Sequence, residues 1–309
     1  MTPPNPARGI AYALICLVLL ALMPIISNGR PPGFSALGFA FWLSVWETVF
    51  ALPLFLWERR RGERGIFGAR LDPVQKRRTV AVTLGMGAIF GLATLIYVVA
   101  MERAGAANAS VALQTYPLFA ILLEAVLFRH GKTPLELAFT AVLLAALYYL
   151  ATGGSFVLSG LSPWFLLALA VPLLWAIAHV AIREELGRTP ITPAQVTLFR
   201  VGLSAVFLGL VFVAVEPAAI LPSLAPGFQI WALVMGLVYY LELVIWFYAM
   251  RHIPVSFASS ITTPWPAFTM VLAALILGDT IQPYQVAAVV LVIAAIYGLS
   301  WAGLRAARR

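Results

Sequence analysis

Long apolar runs separated by short polar turns recur along this chain, and their length sets the first expectation. A helix that crosses a bilayer needs roughly 20 mostly apolar residues. Ten stretches meet that pattern: Ala7 to Ser27, Ala36 to Trp57, Val80 to Met101, Ala106 to Phe128, Leu135 to Thr152, Pro163 to Ile182, Pro193 to Val215, Phe228 to Met250, Val255 to Leu277 and Tyr284 to Leu304. The pattern predicts an all-α integral membrane protein of ten transmembrane helices. The connections are short, the longest being the basic segment from Glu58 to Thr79, which leaves no room for a soluble domain. The first run ends in Pro24, Ser27 and Asn28 without an Ala-x-Ala site, so it reads as a retained helix and not a cleaved signal.

A repeat organises these runs. AMERAGAANASVALQTYPLFAILLEAVLFRHGKTP, from Ala100 to Pro134, aligns without a gap with AMRHIPVSFASSITTPWPAFTMVLAALILGDTIQP, from Ala249 to Pro283. Ala109 and Ser110 fall on Ala258 and Ser259, Pro117 on Pro266, Phe119 on Phe268. Expected spans three to five therefore match spans eight to ten. The implied unit is five helices, residues 1–152 and 153–309. An odd number of crossings puts the second unit in the membrane upside down. Inverted repeats of this kind mark secondary transporters, with a site near the midplane where the halves meet.

Composition agrees, and charge adds an orientation. The 309 residues are 62% hydrophobic and only 10% charged, with mean hydropathy +0.96, whereas about 25% of a soluble domain is charged. The net charge of +8 does not point to nucleic acid, because the basic residues lie between apolar blocks and form no aromatic-interleaved face. Seventeen of the 20 Lys and Arg sort to loops and termini on one side; Arg30 and Arg103 lie on the other, and Arg200 lies inside the seventh span. That bias predicts cytoplasmic N- and C-termini in a cell (inner) membrane. Cys16 is the only cysteine, which excludes an intramolecular disulfide and a Cys-based metal site.

Polar groups inside a bilayer are expensive and mark candidate sites. Tyr239, Glu242 and Trp246 share one face of the eighth span by helical spacing. Glu242 between aromatic rings suits an ammonium group or a coupled proton; the alternative is a structural pairing with Arg200. Glu47 and Arg200 occupy related mid-span places, and a structural ion pair is the favoured reading. Gln114 and Thr263 lie within about a turn of prolines and suit hydrogen bonds to substrate, whereas Ser110, Ser256, Ser259 and Ser260 read mainly as helix-packing groups. His179 follows Trp175 by four residues on one face. Tyr97, Trp175, Trp246 and Trp265 are the aromatics placed deep enough for a cavity, while Trp57, Trp164, Trp231 and Trp301 sit at span ends, and His130 and His252 at helix ends. Pro24, Pro117, Pro172, Pro264 and Pro266 are expected hinge positions, since each removes a backbone donor. Gly87 and Gly91 predict a close helix contact.

The two repeats resemble the module of the drug/metabolite transporter superfamily, with EamA-like inverted repeats, in ASVALQTYPLFAILLEAVLF-RHGKTPLEL and ASSITTPWPAFTMVLAALIL-GDTIQPYQV. The arginine in LFRVGLSAVFLGL of the seventh span is similar to the family's. The family's acidic residue after spans four and nine appears here as His130 and Asp279, which align with each other, and Glu47 occupies the second-span position where Arg200 sits in the seventh. The aromatic content and the PWP of span nine are most like the branch that exports aromatic amino acids. The resemblance implies an exporter of amino acids, aromatic ones included, with no cofactor and with the lipid bilayer and a small-molecule substrate as partners. The rival reading is a multidrug exporter of lipophilic cations with Glu242 as counter-charge. An intramembrane enzyme would need a nucleophile with its base or a metal cluster, and no Gly-x-Ser-x-Gly, His-Glu-x-x-His or Walker motif occurs.

Overall fold

With no water in the hydrocarbon core, a chain that crosses it must satisfy its backbone internally, and the described residues form helices joined by short connections, without strands. The computed structural model describes residues 5–30, 33–62, 64–68, 72–104, 109, 112–116, 118–120, 122–123, 133–157, 163–278 and 280–306. Ten helices are named in chain order: α1 Pro6–Asn28, α2 Ala36–Arg60, α3 Pro73–Ala104, α4 Pro134–Ala151, α5 Pro163–Arg188, α6 Pro193–Val215, α7 Pro226–Met250, α8 Val255–Thr262, α9 Trp265–Leu272 and α10 Pro283–Ala306. Six of them, α1–α3 and α5–α7, are long and apolar enough to cross a membrane, and shorter apolar stretches cover 137–150, 265–277 and 283–299. The expected fourth span and Pro117, Ser110, His130 and Asp279 fall wholly or largely outside the described residues, as do the side chains of Ser256 and Ser260.

Helix ends follow local chemistry. Asn5, Ser35 and Thr192 cap α1, α2 and α6, each accepting from the backbone amide three residues on, and Pro6 and Pro193 open their helices where an amide would be unpaired anyway. Several helices outrun the expected spans, α3 most of all, which runs from Pro73 to Ala104 against an expected Val80 to Met101. Helix α2 continues to Arg60, its last turn carrying Arg59 and Arg60, whose charges favour the C-terminal carbonyls. Helix α5 continues past Ile182 to Arg188, with Arg188 paired to Glu184 at 2.7 Å one turn back and Arg78 on α3 paired to Glu185 at 3.0 Å. Charge pairing carries those turns beyond the apolar run.

Packing exchanges the two halves. Helix α1 packs on α7 as α5 packs on α3, and α3 packs on α6 as α7 packs on α2. The two remaining extensive contacts, α2 with α6 and α4 with α10, join counterpart helices of the two repeats. Both counterpart pairs are antiparallel. Ser35 at the start of α2 donates to Glu216 at the end of α6, while Thr192 at the start of α6 donates to Glu58 near the end of α2 at 2.6 Å. A Cβ on Gly298, late in α10, would meet Phe139 early in α4, and one on Gly154, just after α4, would meet Tyr284 at the start of α10.

Some contacts require glycine. A Cβ on Gly87 or Gly91 of α3 would lie 2.7 Å from Leu203 or 2.9 Å from Phe207 of α6, so the paired small residues do mark a close contact. Gly236 of α7 is tighter, because a Cβ there would sit 2.8 Å from the Leu43 carbonyl oxygen and 3.1 Å from the Glu47 amide nitrogen of α2. Backbone cannot yield as a flexible side chain does. Gly236→Ala is expected to force α2 and α7 apart and cost about 1–3 kcal/mol, read as a lower unfolding midpoint in detergent. Gly227→Ala in the same helix, with nothing within 4 Å of its Cβ, should leave that midpoint unchanged or slightly higher.

Candidate functional site

The site begins with a break in a helix. Helix α8 stops at Thr262 and α9 starts at Trp265, so Thr263 and Pro264 form a turn within the expected ninth span. Pro264 and Pro266 have no amide hydrogen to donate, and the Ala267 amide bonds the Pro264 carbonyl at 3.0 Å. The Thr263 carbonyl is thereby free for a partner outside the helix. Gln114 supplies it: with its nitrogen facing that carbonyl at 2.8 Å, its oxygen accepts from Trp265 Nε1 at 2.6 Å. Gln114 is itself in a turn, at residues 114–115, where the Thr115 amide and hydroxyl both bond the Ala112 carbonyl at 3.2 and 2.9 Å. In the repeat register Gln114 is the counterpart of Thr263. Two helices broken at matching places are thus joined to each other across their breaks.

Around this junction lies a cavity of about 60 Å³, walled by α1, α3, the 112–116 segment and α5–α9. Seven of the nine side chains proposed from sequence for substrate line it: Gln114, Trp175, His179, Tyr239, Glu242, Trp246 and Trp265. The other two do not. Tyr97 is buried behind the wall, against Trp175 and edge-on to Tyr239 with centroids 5.9 Å apart. Thr263 turns its hydroxyl to the Ser259 carbonyl at 3.1 Å. Leu20, Met23, Phe90, Tyr116, Arg200 and Thr262 also line the cavity. Of these, Phe90 and Tyr116 were legible in the repeat. The register that pairs Ala100 with Ala249 also pairs Phe90 with Tyr239 and Tyr116 with Trp265, so each overlooked aromatic is the counterpart of a recognised one.

The polar groups of this cavity are unevenly satisfied. The Tyr116 hydroxyl and His179 Nδ1 are 2.7 Å apart, leaving His179 Nε2 without a partner. Arg200 lies with its guanidinium 3.8 Å from the centre of the Phe90 ring. Its Nη1 is 3.7 Å from Glu47 Oε1, close enough to pair electrostatically but beyond hydrogen-bond reach, and Nε and Nη1 donate to nothing. The Glu242 carboxylate has no hydrogen bond or ion pair with any described residue. One uncovered carboxylate and one guanidinium with spare donors therefore share an aromatic box. No group of three or more His, Cys, Asp or Glu that could hold a metal occurs among the described residues.

The two ends of the helix bundle differ. At the end that carries few basic residues, a vestibule of about 1070 Å³ is lined by helix ends and loops, including Arg30, Arg103, Glu102 and Glu216. Arg30 pairs with Glu102 at 2.7 Å. Ser27 lines this vestibule and Met23 lines the cavity, one turn apart on α1, with Pro24 between them. At the basic end, buried Glu58 holds Thr192 and Tyr248, and buried Glu185 holds Thr79 and Arg78, across five helices.

The profile of the EamA-like transporter family matches residues 7–152 and again 162–301. The chain belongs to the EamA-like transporter family. Members of this family are multi-pass membrane transporters, which accounts for the apolar helices, the two matching halves and the inward-facing polar groups. None of the curated proteins matches the sequence. Among 29 matching chains of solved structures, a crystal structure superposes with a TM-score of 0.67 at 18% identity, over 96% of this chain and 98% of that one. At that identity it supports the fold alone.

Gln114→Leu tests the junction in this EamA-like chain. It would leave the Thr263 carbonyl and Trp265 Nε1 buried and unpaired, at about 1–3 kcal/mol each, and should lower the unfolding midpoint markedly. Thr263→Ala keeps the backbone acceptor and should cost much less. Equal losses in the two variants would refute the assignment.

Proposed function

We propose that the chain is a secondary transporter that exports amino acids, aromatic ones included, with broad specificity. Its ten spans form two inverted five-helix repeats, residues 1–152 and 153–309, with both termini in the cytoplasm of a cell whose inner membrane it crosses. One observation carries the substrate class: Glu242, without a hydrogen bond or ion pair to a described residue, and Arg200, with spare donors, line the same aromatic cavity. A zwitterion fits that pair, its ammonium on Glu242 and its carboxylate on Arg200, with Trp175, Tyr239, Trp246 and Trp265 available to an apolar or aromatic body. The antiparallel counterpart helices support the inverted arrangement.

Size supports alternating access. A cavity of about 60 Å³ holds roughly two waters at about 30 Å³ each, too little for phenylalanine. The site must widen to load, and Pro24, Pro172, Pro264 and Pro266 lie in or beside the wall elements that would bend, with Pro117 as the expected counterpart of Pro266. The vestibule serves release on the outer side, while the Glu58 and Glu185 networks close the cytoplasmic side. A second reading rests on the charge count of the cavity region: Glu47 and Glu242 against Arg200 leave an excess of carboxylate, which suits a lipophilic cation.

Proteoliposomes separate the readings. Labelled phenylalanine and threonine should cross faster than in empty vesicles, and a cationic dye should not compete. Glu242→Gln should weaken apparent affinity roughly tenfold to hundredfold, the scale of a hydrogen bond to a charged group. No amino-acid flux, with dye flux present, would replace the first reading by the second. Flux measured with and without a pH gradient tests coupling, and a pH dependence unchanged in Glu242→Gln would remove that carboxylate as the proton carrier.

A further inference from the structure

On the outer surface of the bundle, away from the transport cavity, α3 and α6 leave a groove of about 750 Å³. It runs from Lys76 to Leu84 on α3 and from Leu198 to Val206 on α6, about 12 Å at 1.5 Å per residue. That is most of one leaflet's share of a hydrocarbon core about 30 Å thick. The walls are mainly apolar, and the threonines in them are internally satisfied: Thr79 donates to Gln75 and Glu185, and Thr83 to the Thr79 carbonyl. At its basic end the groove adjoins a second pocket of about 320 Å³, the two sharing Phe67. This upper pocket holds Arg59 and Arg64, with no acid among its described lining residues.

The upper pocket is built and not incidental. Buried Gln195 accepts from the Ile66 amide at 3.2 Å and donates to the Arg64 carbonyl at 2.9 Å, which pins the loop that presents Arg64. Gly65 takes φ +53°, and a Cβ there would collide with the Gln195 amide, so the loop can press against its anchor only with glycine. Two arginines at interface height above an apolar channel of leaflet depth match an anionic headgroup above an acyl chain.

We infer that this groove and its arginine pocket hold one anionic phospholipid from the leaflet at the basic face, with the phosphate against Arg59 and Arg64 and an acyl chain between α3 and α6. The basic residues attract that leaflet's anionic lipids in general; the apolar channel beneath one particular pair makes this a site.

The test uses the full-length chain in mild detergent with an equimolar mixture of phosphatidylglycerol and phosphatidylcholine of identical chains, retained lipid being counted by native mass spectrometry. One phosphatidylglycerol should remain in preference to phosphatidylcholine. Arg59→Gln and Arg64→Gln should each cut that preference roughly fivefold, from about 1 kcal/mol per basic residue. Arg60→Gln with Arg61→Gln, which removes two charges from residues that line neither pocket, should preserve it. Gly202→Leu should reduce retention of both lipids, since a Cβ there meets only Thr48 at 3.9 Å and a longer side chain fills the channel. Unfolding midpoints confirm that each variant is folded. Absence of a phosphatidylglycerol preference, equal loss in the Arg60 and Arg61 variant, or a second copy of the chain cross-linked across the groove would overturn the inference.

Discussion

A backbone carbonyl released inside hydrocarbon has no water to turn to, and the Gln114 amide answers that constraint for the Thr263 carbonyl. Everything near the centre of the molecule is arranged around this bond. The prolines at 264 and 266 break one helix, the turn at 114–115 interrupts its counterpart, and a single amide closes both by also accepting from Trp265. An apolar residue at 114 would leave two groups unpaired, and an uninterrupted ninth-span helix would leave the amide nothing to bind. Irregular backbone at this depth persists only where protein or a polar cavity covers it. Here it has both.

The interior charges follow a different logic. Arg200 is held at least as much by a ring as by a carboxylate: its guanidinium is 3.8 Å from the Phe90 centroid but 3.7 Å from the nearest Glu47 oxygen, without a hydrogen bond. A desolvated cation–π contact contributes about 2 kcal/mol, enough to orient the side chain. A bidentate salt bridge would orient it as well but would occupy the donors. Removing one member of a buried pair typically costs 3–5 kcal/mol, so loss of folded protein in a Glu47 variant would say little about transport. The informative carboxylate is Glu242, whose removal breaks no hydrogen bond or ion pair with a described residue.

Much of this architecture is written in the sequence, because in a bilayer apolar length and repeat register are strong signals. The long helices, the close approach at Gly87 and Gly91, and the cavity placement of Trp175, His179, Glu242 and Trp246 all follow from spacing on one face. What sequence spacing did not reveal depends on tertiary placement. Helical spacing says that Thr263 lies inward, but not that its carbonyl, and not its hydroxyl, meets Gln114. It places Tyr97 deep, but not behind Trp175. Helix α5 outruns its apolar stretch because Arg78, from another helix, meets Glu185, and hydropathy within one segment cannot register a partner elsewhere. Phe90 and Tyr116 are a different case: their repeat counterparts Tyr239 and Trp265 already pointed to them.

The polar bonds at the two ends separate what holds from what bends. Helices α2 and α6 are fastened at both ends by equivalent bonds, a helix-capping hydroxyl to a carboxylate near the other helix's end, Ser35 to Glu216 and Thr192 to Glu58. Neither helix of this antiparallel pair can slide along the other without breaking one bond at each end. Neither has a proline in the stretch that flanks the cavity, since Pro53 of α2 lies beyond Glu47 toward the basic end. Helices α1 and α5 carry Pro24 and Pro172 in their interiors, each forgoing one backbone bond, and both contribute to the cavity wall. In the proposed cycle, therefore, α2 and α6 act as the fixed spine that keeps Glu47 and Arg200 in register, and the bending falls to the proline-bearing helices beside the site. The Arg200 donors would then stay in place while the wall that encloses them opens.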